Sequence, residues 1–361
     1  MKKIGIVTFQ ESGNYGALLQ AYALKNAIGE LGYSADIINY HSKEKEGQYA
    51  SFSLHRSALV NLNTLLSAGI TKKVNKCNDK FREEMLALDP KPLSREDMKD
   101  LNGSYDKFVC GSDQIWNPKS VKHDGTYFLD FVANPNQRVA YAPSVGVSTL
   151  DDKDVDFFRS GVEGIPHLSV REKSGAELIK RLTGKDALVV LDPSLLLKRE
   201  QWESLAGENK RNRGYILLFM VGYSAKAVAL AKTLAKQKNL DVLTPIKTVR
   251  DYKDGFKSFI GGPLDFLNAI RYADYVITTS FHGLMFSTMF HKQFLIVEKS
   301  AAKNEGACRI HDFMELTGLR DRIYSDKPDQ MDAPINYNAV DRSVASLREQ
   351  SIRYLSSSLE A

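Results

Sequence analysis

The chain has 361 residues, long enough for two domains of ordinary size that each bury a core. A composition of 43% hydrophobic and 26% charged residues excludes a disordered chain. No apolar run approaches the ~20 residues that a membrane-spanning helix needs. The net charge of +5 is a slight excess on 49 basic and 44 acidic side chains; it suits an anionic substrate or a membrane surface and gives no reason to invoke nucleic acid.

Residues 1–9 combine basic and apolar character, but Gln10, Glu11, Ser12, Gly13 and Asn14 follow at once, so this start reads as a first buried strand and not as a signal peptide. Cys77, Cys110 and Cys308 are far apart and form no Cys-x-x-Cys pair, which fits reduced thiols in a cytoplasmic protein. A strand over 3–8, a polar turn over 11–16, an apolar helix over 17–31 stopped by Gly32, and a strand over 34–40 make a β-α-β unit. Its loop, Ser12 to Gly16, lacks the G-x-G-x-x-G dinucleotide fingerprint but is short enough to admit a ligand. Residues 41–101 are irregular and charged, with helices expected over 54–66 and 74–86, and read as a helical insertion or lid.

Strands are expected next over 107–110, 138–142, 167–170 and 187–191, the last running into Asp192-Pro193. The polar stretch 198–214 reads as a linker dividing a domain over 1–205 from one over 206–361. Beyond it, strands over 215–220, 241–244, 275–277 and 294–297 alternate with helices over 224–237, 263–273, 283–290 and 340–355. This alternation predicts an α/β protein, with two Rossmann-like domains facing a cleft and ligands at the carboxyl ends of the strands.

Within 275–290 a strand leaves through polar residues and turns directly into a helix at His282-Gly283. Such a start aims backbone N–H groups at an anion, beside a histidine that can give or take a proton; the plain alternative is a structural histidine. Gly111, Ser112, Asp113 and Gln114 follow a buried strand and can grip hydroxyls or a carboxylate, or can form a tight turn with Asp113 as a cap. Trp116 can stack on a sugar or belong to the core. Arg138, Arg171 and Arg309 fall near strand ends or after the His282 unit, where a planar fork can hold carboxylate or phosphate. Metal-binding patterns such as H-E-x-x-H, paired cysteines or D-x-D are absent from the sequence.

Six segments in register, spread over nearly the whole chain, resemble the polysaccharide pyruvyl transferase family. They are the stretch from Asn14 through Gly16 to Leu24, Gly111 to Pro118, Tyr141 to Gly146, Ser169-Val170-Arg171-Glu172, Leu191 to Ser194, and Thr279-Ser280-Phe281-His282-Gly283. The third departs from the family's small-residue pattern, reading Ala142-Pro143-Ser144-Val145-Gly146. The resemblance implies a glycosyltransferase-B-like architecture and transfer of a pyruvyl group from phosphoenolpyruvate to a pair of sugar hydroxyls, forming a ketal in surface-polysaccharide biosynthesis. It implies no tightly bound cofactor, with phosphoenolpyruvate as co-substrate, a glycan or lipid-linked sugar as acceptor, and a cytoplasmic enzyme that can sit at the inner face of the membrane. The first domain would be the acceptor side and the second the donor side.

On this reading His282 is the general acid and Asp113 orients or deprotonates the acceptor hydroxyl. Arg171 and Arg309 neutralise the donor, while Ser280 and the Gly283 N–H complete the anion pocket. Asn14, Gly16, Ser112 and Gln114 are further substrate contacts. Two other readings stay open at this point: a glycosyltransferase using a nucleotide sugar on the same scaffold, and a non-catalytic glycan- or nucleotide-binding protein.

Overall fold

A computed structural model of the chain describes residues 1–42, 58–246, 248–298 and 307–361. The first half is built on a parallel sheet in which β1 (Lys3–Val7) lies between β2 (Ser34–Ile37) and β3 (Lys107–Cys110), with β4 (Arg138–Ala140) outside β3. Ile6 stands opposite both Ile37 and Val109, so the strand centre is apolar on every side, as a sheet covered on both faces requires. A bridge from Val139 to His167 leads to the short pair β5 (Ser169–Val170) and β6 (Leu188–Val189). The second half carries a five-stranded parallel sheet ordered β11-β10-β7-β8-β9. These strands are β7 (Tyr215–Phe219), β8 (Asp241–Pro245), β9 (Lys257–Phe259), β10 (Tyr275–Thr278) and β11 (Gln293–Ile296). This is the two-Rossmann α/β architecture expected from the alternation of strands and helices.

Helix α1 (Tyr15–Glu30) starts at Asn14, whose side-chain oxygen accepts from the Gly16 N–H. Nearly all round it is buried, as befits a helix enclosed between layers. Its first residue reaches the other half: the Tyr15 hydroxyl donates to the Gly261 carbonyl at 2.9 Å, and its ring stacks near Phe219 and Phe266.

The insertion differs from its sequence reading. In place of two helices there is one, α2 (Ala58–Phe81), that ends in a wider turn over Arg82–Leu86; residues 54–57 of the expected first helix lie outside the described residues. Helix α2 leans on the second half, where the Ser67 hydroxyl accepts from the Val249 N–H at 3.0 Å. A short helix, α3 (Pro118–Val121), follows β3, and two helices that the sequence reading left out, α4 (Asp152–Glu163) and α5 (Lys173–Thr183), flank β5. Both are short and mostly charged, and only residues such as Phe158, Val162, Leu178 and Ile179 mark their inner faces.

The expected linker is also partly structural. Arg199–Ala206 forms helix α6, and Trp202 on it is fully buried, donating its indole N–H to the Ser194 carbonyl and meeting Phe286 edge-on. A single aromatic supplies most of this helix's apolar face, so the charge around it hid the helix. The second half continues with α7 (Ala225–Lys238), α8 (Pro263–Arg271), α9 (Phe281–Met289), α10 (Ala307–Thr317) and α11 (Tyr337–Glu360).

Helix α11 returns to the first half. Ser351 Oγ accepts from the Leu191 N–H at 2.9 Å, the Tyr354 hydroxyl donates to the Ala140 carbonyl at 2.9 Å, and Arg348 Nε donates to the Leu195 carbonyl. The main apolar core is therefore continuous, running from Ile4 and Ile6 through Phe266 and Phe286 to Leu355 and Leu359. All three cysteines are free. Among the described residues no helix is long and apolar enough to cross a membrane.

Truncating a fully buried side chain on α11 should weaken both halves together. Leu355→Ala is expected to cost about 2–5 kcal/mol, read as a lower urea midpoint with a single transition. Two separated transitions would show that the shared core does not couple the halves.

Candidate active site

Strand β10 ends at Thr278 and the chain enters α9 through Ser280, whose side chain caps the helix by accepting from the Gly283 N–H at 3.3 Å. The Gly283 N–H expected to complete an anion pocket is therefore already taken by Ser280, whose own hydroxyl proton remains available to donate. Gly283 is needed for packing, because a Cβ there would sit 2.2 Å from Thr278 Oγ1. The geometry instead delivers His282. Its ring is buried at the junction of the two halves, lying directly on Gly16, where a Cβ would come within 2.1 Å of Nδ1. Gly16 is thus a seat for the histidine rather than a ligand contact of its own.

The other end of the imidazole faces the first half. His282 Nε2 stands 3.7 Å from Asp192 Oδ2 and has no hydrogen-bond partner among the described residues. Asp192 follows β6; its Oδ1 accepts from both the N–H and the hydroxyl of Ser194, and its Oδ2 accepts from Arg171 Nη1 at 2.5 Å. Arg171, directly after β5, is equally buried, and its Nη2 lies 3.6 Å from Asp113 Oδ1. Arg171 Nε and Nη2 find no hydrogen-bond partner among the described residues, so half of a guanidinium fork points into the cluster unspent.

Phe281 is the floor on which the cations rest. The Arg171 guanidinium carbon is 4.4 Å from its ring centroid and that of Arg309, on α10, is 5.5 Å away. Burial alone would raise the Asp192 carboxyl, but the His282 imidazole and the Arg171 charge overcome it and hold Asp192 well below the usual carboxylate range. Asp113 is lowered in the same way: burial opposes, and Arg171, His282 and Arg309 prevail. Arg309 moves the other way, lowered by burial and by the neighbouring Arg171 charge. Burial opposes the Arg171 charge too, but Asp192, Asp113 and Glu172 outweigh it and Arg171 is raised, so the cluster is a set of mutually compensating buried charges.

The remaining expectations sort by what each side chain touches. Ser112 is fully buried, its N–H on Gln20 Oε1 and its hydroxyl on the Ala142 carbonyl, with Oγ also 3.4 Å from Asp192 Oδ2 and 3.5 Å from Arg171 Nη1, so it belongs to the cluster from within. Asp113 adopts a positive φ of 68° and accepts from the Gln114 N–H, which turns its carboxylate to Arg171. The Gln114 amide packs over Gly146. Trp116 is core, stacked on Phe128 with its indole N–H on the Tyr127 carbonyl. Arg138 ties the Val132 and Gly164 carbonyls together, away from the cluster.

Asp192, Glu172 and Phe281 are the additions that residue-by-residue reading missed. Glu172 Oε1 accepts from Ser144 Oγ and from the Val145 and Gly146 N–H groups, holding the loop whose sequence departs from the family pattern. The signal was present, since Asp192, Glu172 and Phe281 all lie inside the six segments, but nothing local marks them as neighbours of His282.

Beyond the cluster, the cleft holds a cavity of about 310 Å³ at the carboxyl ends of β7 and β8, lined among others by Asn14, Val221, Tyr223, Thr244, Asp251, Lys253 and Asp254. A second hollow under α2 shares Asn14 and Thr248 with it. Asn14, besides capping α1, thus lies on the wall of the cleft, two residues from the seat of His282.

Two Rossmann-like domains with a buried Arg171–Asp192–His282 cluster at their junction define a glycosyltransferase-B-like protein. Residues 14–299, most of the chain, match the family described as Polysaccharide pyruvyl transferase, and the chain belongs to that family. No curated protein sequence matches it. Among solved structures, the S. aureus MnaA–UDP complex aligns over 99% of this chain and 91% of its own at 13% identity and a TM-score of 0.50. A UDP-GlcNAc 2-epimerase from Neisseria meningitidis aligns over 98% and 100% at 9% identity and a TM-score of 0.45. Anabaena Alr3699/HepE in complex with UDP aligns over 99% and 100% at 9% identity and a TM-score of 0.48. At such identities the likeness concerns the fold.

Asp192→Asn leaves Arg171 buried without its counter-charge and should cost about 3–5 kcal/mol near neutral pH. Because the folded-state pKa of Asp192 is depressed, its stabilisation is present above the unfolded value of about 3.9 and is lost as pH falls toward the folded value. The gap between wild type and Asp192→Asn in urea unfolding should therefore narrow on acidification; a constant gap would contradict the assignment. Gly16→Ala should displace the His282 ring, visible as a shift of its imidazole NMR signals in a protein that still folds.

Proposed function

We propose that the protein transfers the enolpyruvyl carbons of phosphoenolpyruvate to two hydroxyls of a sugar, giving a pyruvate ketal and inorganic phosphate. The observation that carries this reading is the half-unspent Arg171 fork beside the unpartnered Nε2 of His282, both buried. A small dianion with a carboxylate and a phosphate matches two guanidinium groups better than a neutral ligand does. Membership of the family supports the same conclusion.

In this mechanism Arg171 and Arg309 hold the donor's anionic groups over Phe281. His282 gives a proton to the methylene carbon, which becomes the methyl group, and C2 becomes electrophilic. A sugar hydroxyl adds to C2 as Asp113 receives its proton, and the phosphate departs with the C2–O bond electrons. Asp113 passes its proton to the departing phosphate, and the second hydroxyl then bonds to C2 and closes the ketal as the now neutral His282 takes its proton, which restores the acid. Asp113, held as a carboxylate by its cationic neighbours, is in the form that can accept a proton. Asp192 keeps Arg171 oriented and faces the imidazole, so it acts as a positioning residue. The acceptor, a glycan or a lipid-linked sugar, would enter along the cleft past Asn14. The reaction belongs to polysaccharide assembly, with no tightly bound cofactor required and peripheral attachment at the inner face of a membrane.

Phosphoenolpyruvate should raise the melting temperature where nucleotide sugars do not, since a ligand that binds only the folded state stabilises it. Arg171→Lys keeps the charge but loses the fork, and is expected to weaken that shift by about tenfold in apparent affinity. His282→Ala should keep donor binding yet lower phosphate release with a panel of sugar acceptors by roughly 10²–10⁴-fold. Near-normal release in His282→Ala would remove the acid role, and stabilisation only by a nucleotide sugar would replace the reading as a whole.

A further inference from the structure

We propose that the outer rim of the cleft, formed by α2 and by the segments after β7 and β8, is a docking surface for an anionic lipid bilayer. Among the described residues, large apolar side chains are exposed at eight positions, and five of these, Leu65, Leu66, Val221, Tyr223 and Tyr252, belong to this rim. The contacts that place them together are specific. Ser67, on the inner face of α2, bonds to Val249, which opens the turn ending at Tyr252, so α2 lies against that turn with Leu65 and Leu66 on its outward side. Lys253 sits over the Tyr223 ring at 3.2 Å, and Val221, Tyr223 and Lys253 all line the cleft cavity. Isolated exposed apolar residues are ordinary on a protein surface, but a group gathered at one mouth is not.

Charge on the same face selects the occupant. Ser67, Val74, Asn78 and Phe81 turn inward and define the buried side of α2. Lys72 and Lys76 stand seven and eleven residues beyond Leu65, and Lys73 seven beyond Leu66, so they continue the outward rows that the leucines begin. All three lysines are exposed and make no ion pair among the described residues. The acids nearby are engaged: Asp79 with Arg82, Glu84 with Lys80, Asp254 with Lys232, and Asp251 with the Thr248 N–H. Exposed Glu83 is the acid left on this side of the following turn.

Leucine and aromatic side chains beside unpaired lysines match a headgroup region, where apolar groups enter the acyl boundary and cations meet anionic lipid. A second copy of the chain is a poorer occupant, since lysine is depleted in protein interfaces and a symmetric contact would bring like charges together. Docked in this way, the cleft opens at the membrane surface. The inference rests on the surface alone and is read without any donor or acceptor.

Co-flotation of the full chain with vesicles of phosphatidylcholine, with and without phosphatidylglycerol, tests it. Binding should require phosphatidylglycerol, fall with added salt, and drop about fivefold for each lysine reversed in Lys72→Glu, Lys73→Glu and Lys76→Glu proteins. Leu65→Glu with Leu66→Glu should release the protein while leaving its melting temperature and its stabilisation by phosphoenolpyruvate unchanged. Failure to float, or binding indifferent to phosphatidylglycerol and to these substitutions, would overturn the proposal. So would a dimer in analytical ultracentrifugation that the leucine substitutions abolish. Loss of the phosphoenolpyruvate effect in the parent protein would count against the transfer reading and leave vesicle binding as it stands.

Discussion

The ion pair between Arg171 and Asp192 organises the centre of this molecule. Both groups are buried, and removing two charges from water costs several kcal/mol per ion before their attraction is counted. The Ser194 N–H and hydroxyl satisfy one carboxylate oxygen, and Arg171 takes the other. With Nη1 committed to Asp192, the rest of the guanidinium is turned toward Asp113 and the Phe281 ring. The direction of the fork follows from that one contact.

His282 enters this arrangement from the other half of the protein. Its ring meets Gly16 at the start of α1 and faces Asp192 at the end of β6, so the cluster exists only across the junction. The same junction is held by Tyr15 on Gly261, by α2 on Val249, and by α11 on Leu191 and Ala140. A rotation of one half against the other would separate His282 from its seat on Gly16. Holding the halves in register and assembling the site are therefore one structural task, which accounts for three helices bridging a single cleft.

The cleft has two parts of different character. Its depth is buried and holds the charged cluster of Arg171, Asp192, Asp113 and His282. Its outer part is wider, lined by Asn14, Tyr223, Asp251, Lys253 and Asp254, and shares a rim with the exposed leucines of α2.

The periodicity of the chain by itself determined the alternation of strand and helix, the parallel sheets and the direction of the cleft, because a strand buried on both faces must read as an apolar run wherever it occurs. The strand-to-helix turn at His282 and the arginine after β5 were legible for the same local reason. What only the tertiary structure decided is which of these residues meet. Ser280 and Gly283, read as an anion pocket, are bonded to one another at the helix start; Ser112, read as a substrate contact, is buried against Arg171 and Asp192. Asp192 reads as an ordinary Asp-Pro turn, yet it lies against both Arg171 and His282, 21 and 90 residues away in the chain. Charged helices such as α5 and α6 escaped notice because one or two apolar side chains suffice to dock them once a neighbour supplies the rest of the core. Local pattern records the period of burial, whereas partnership between distant polar groups depends on how the two sheets are brought face to face.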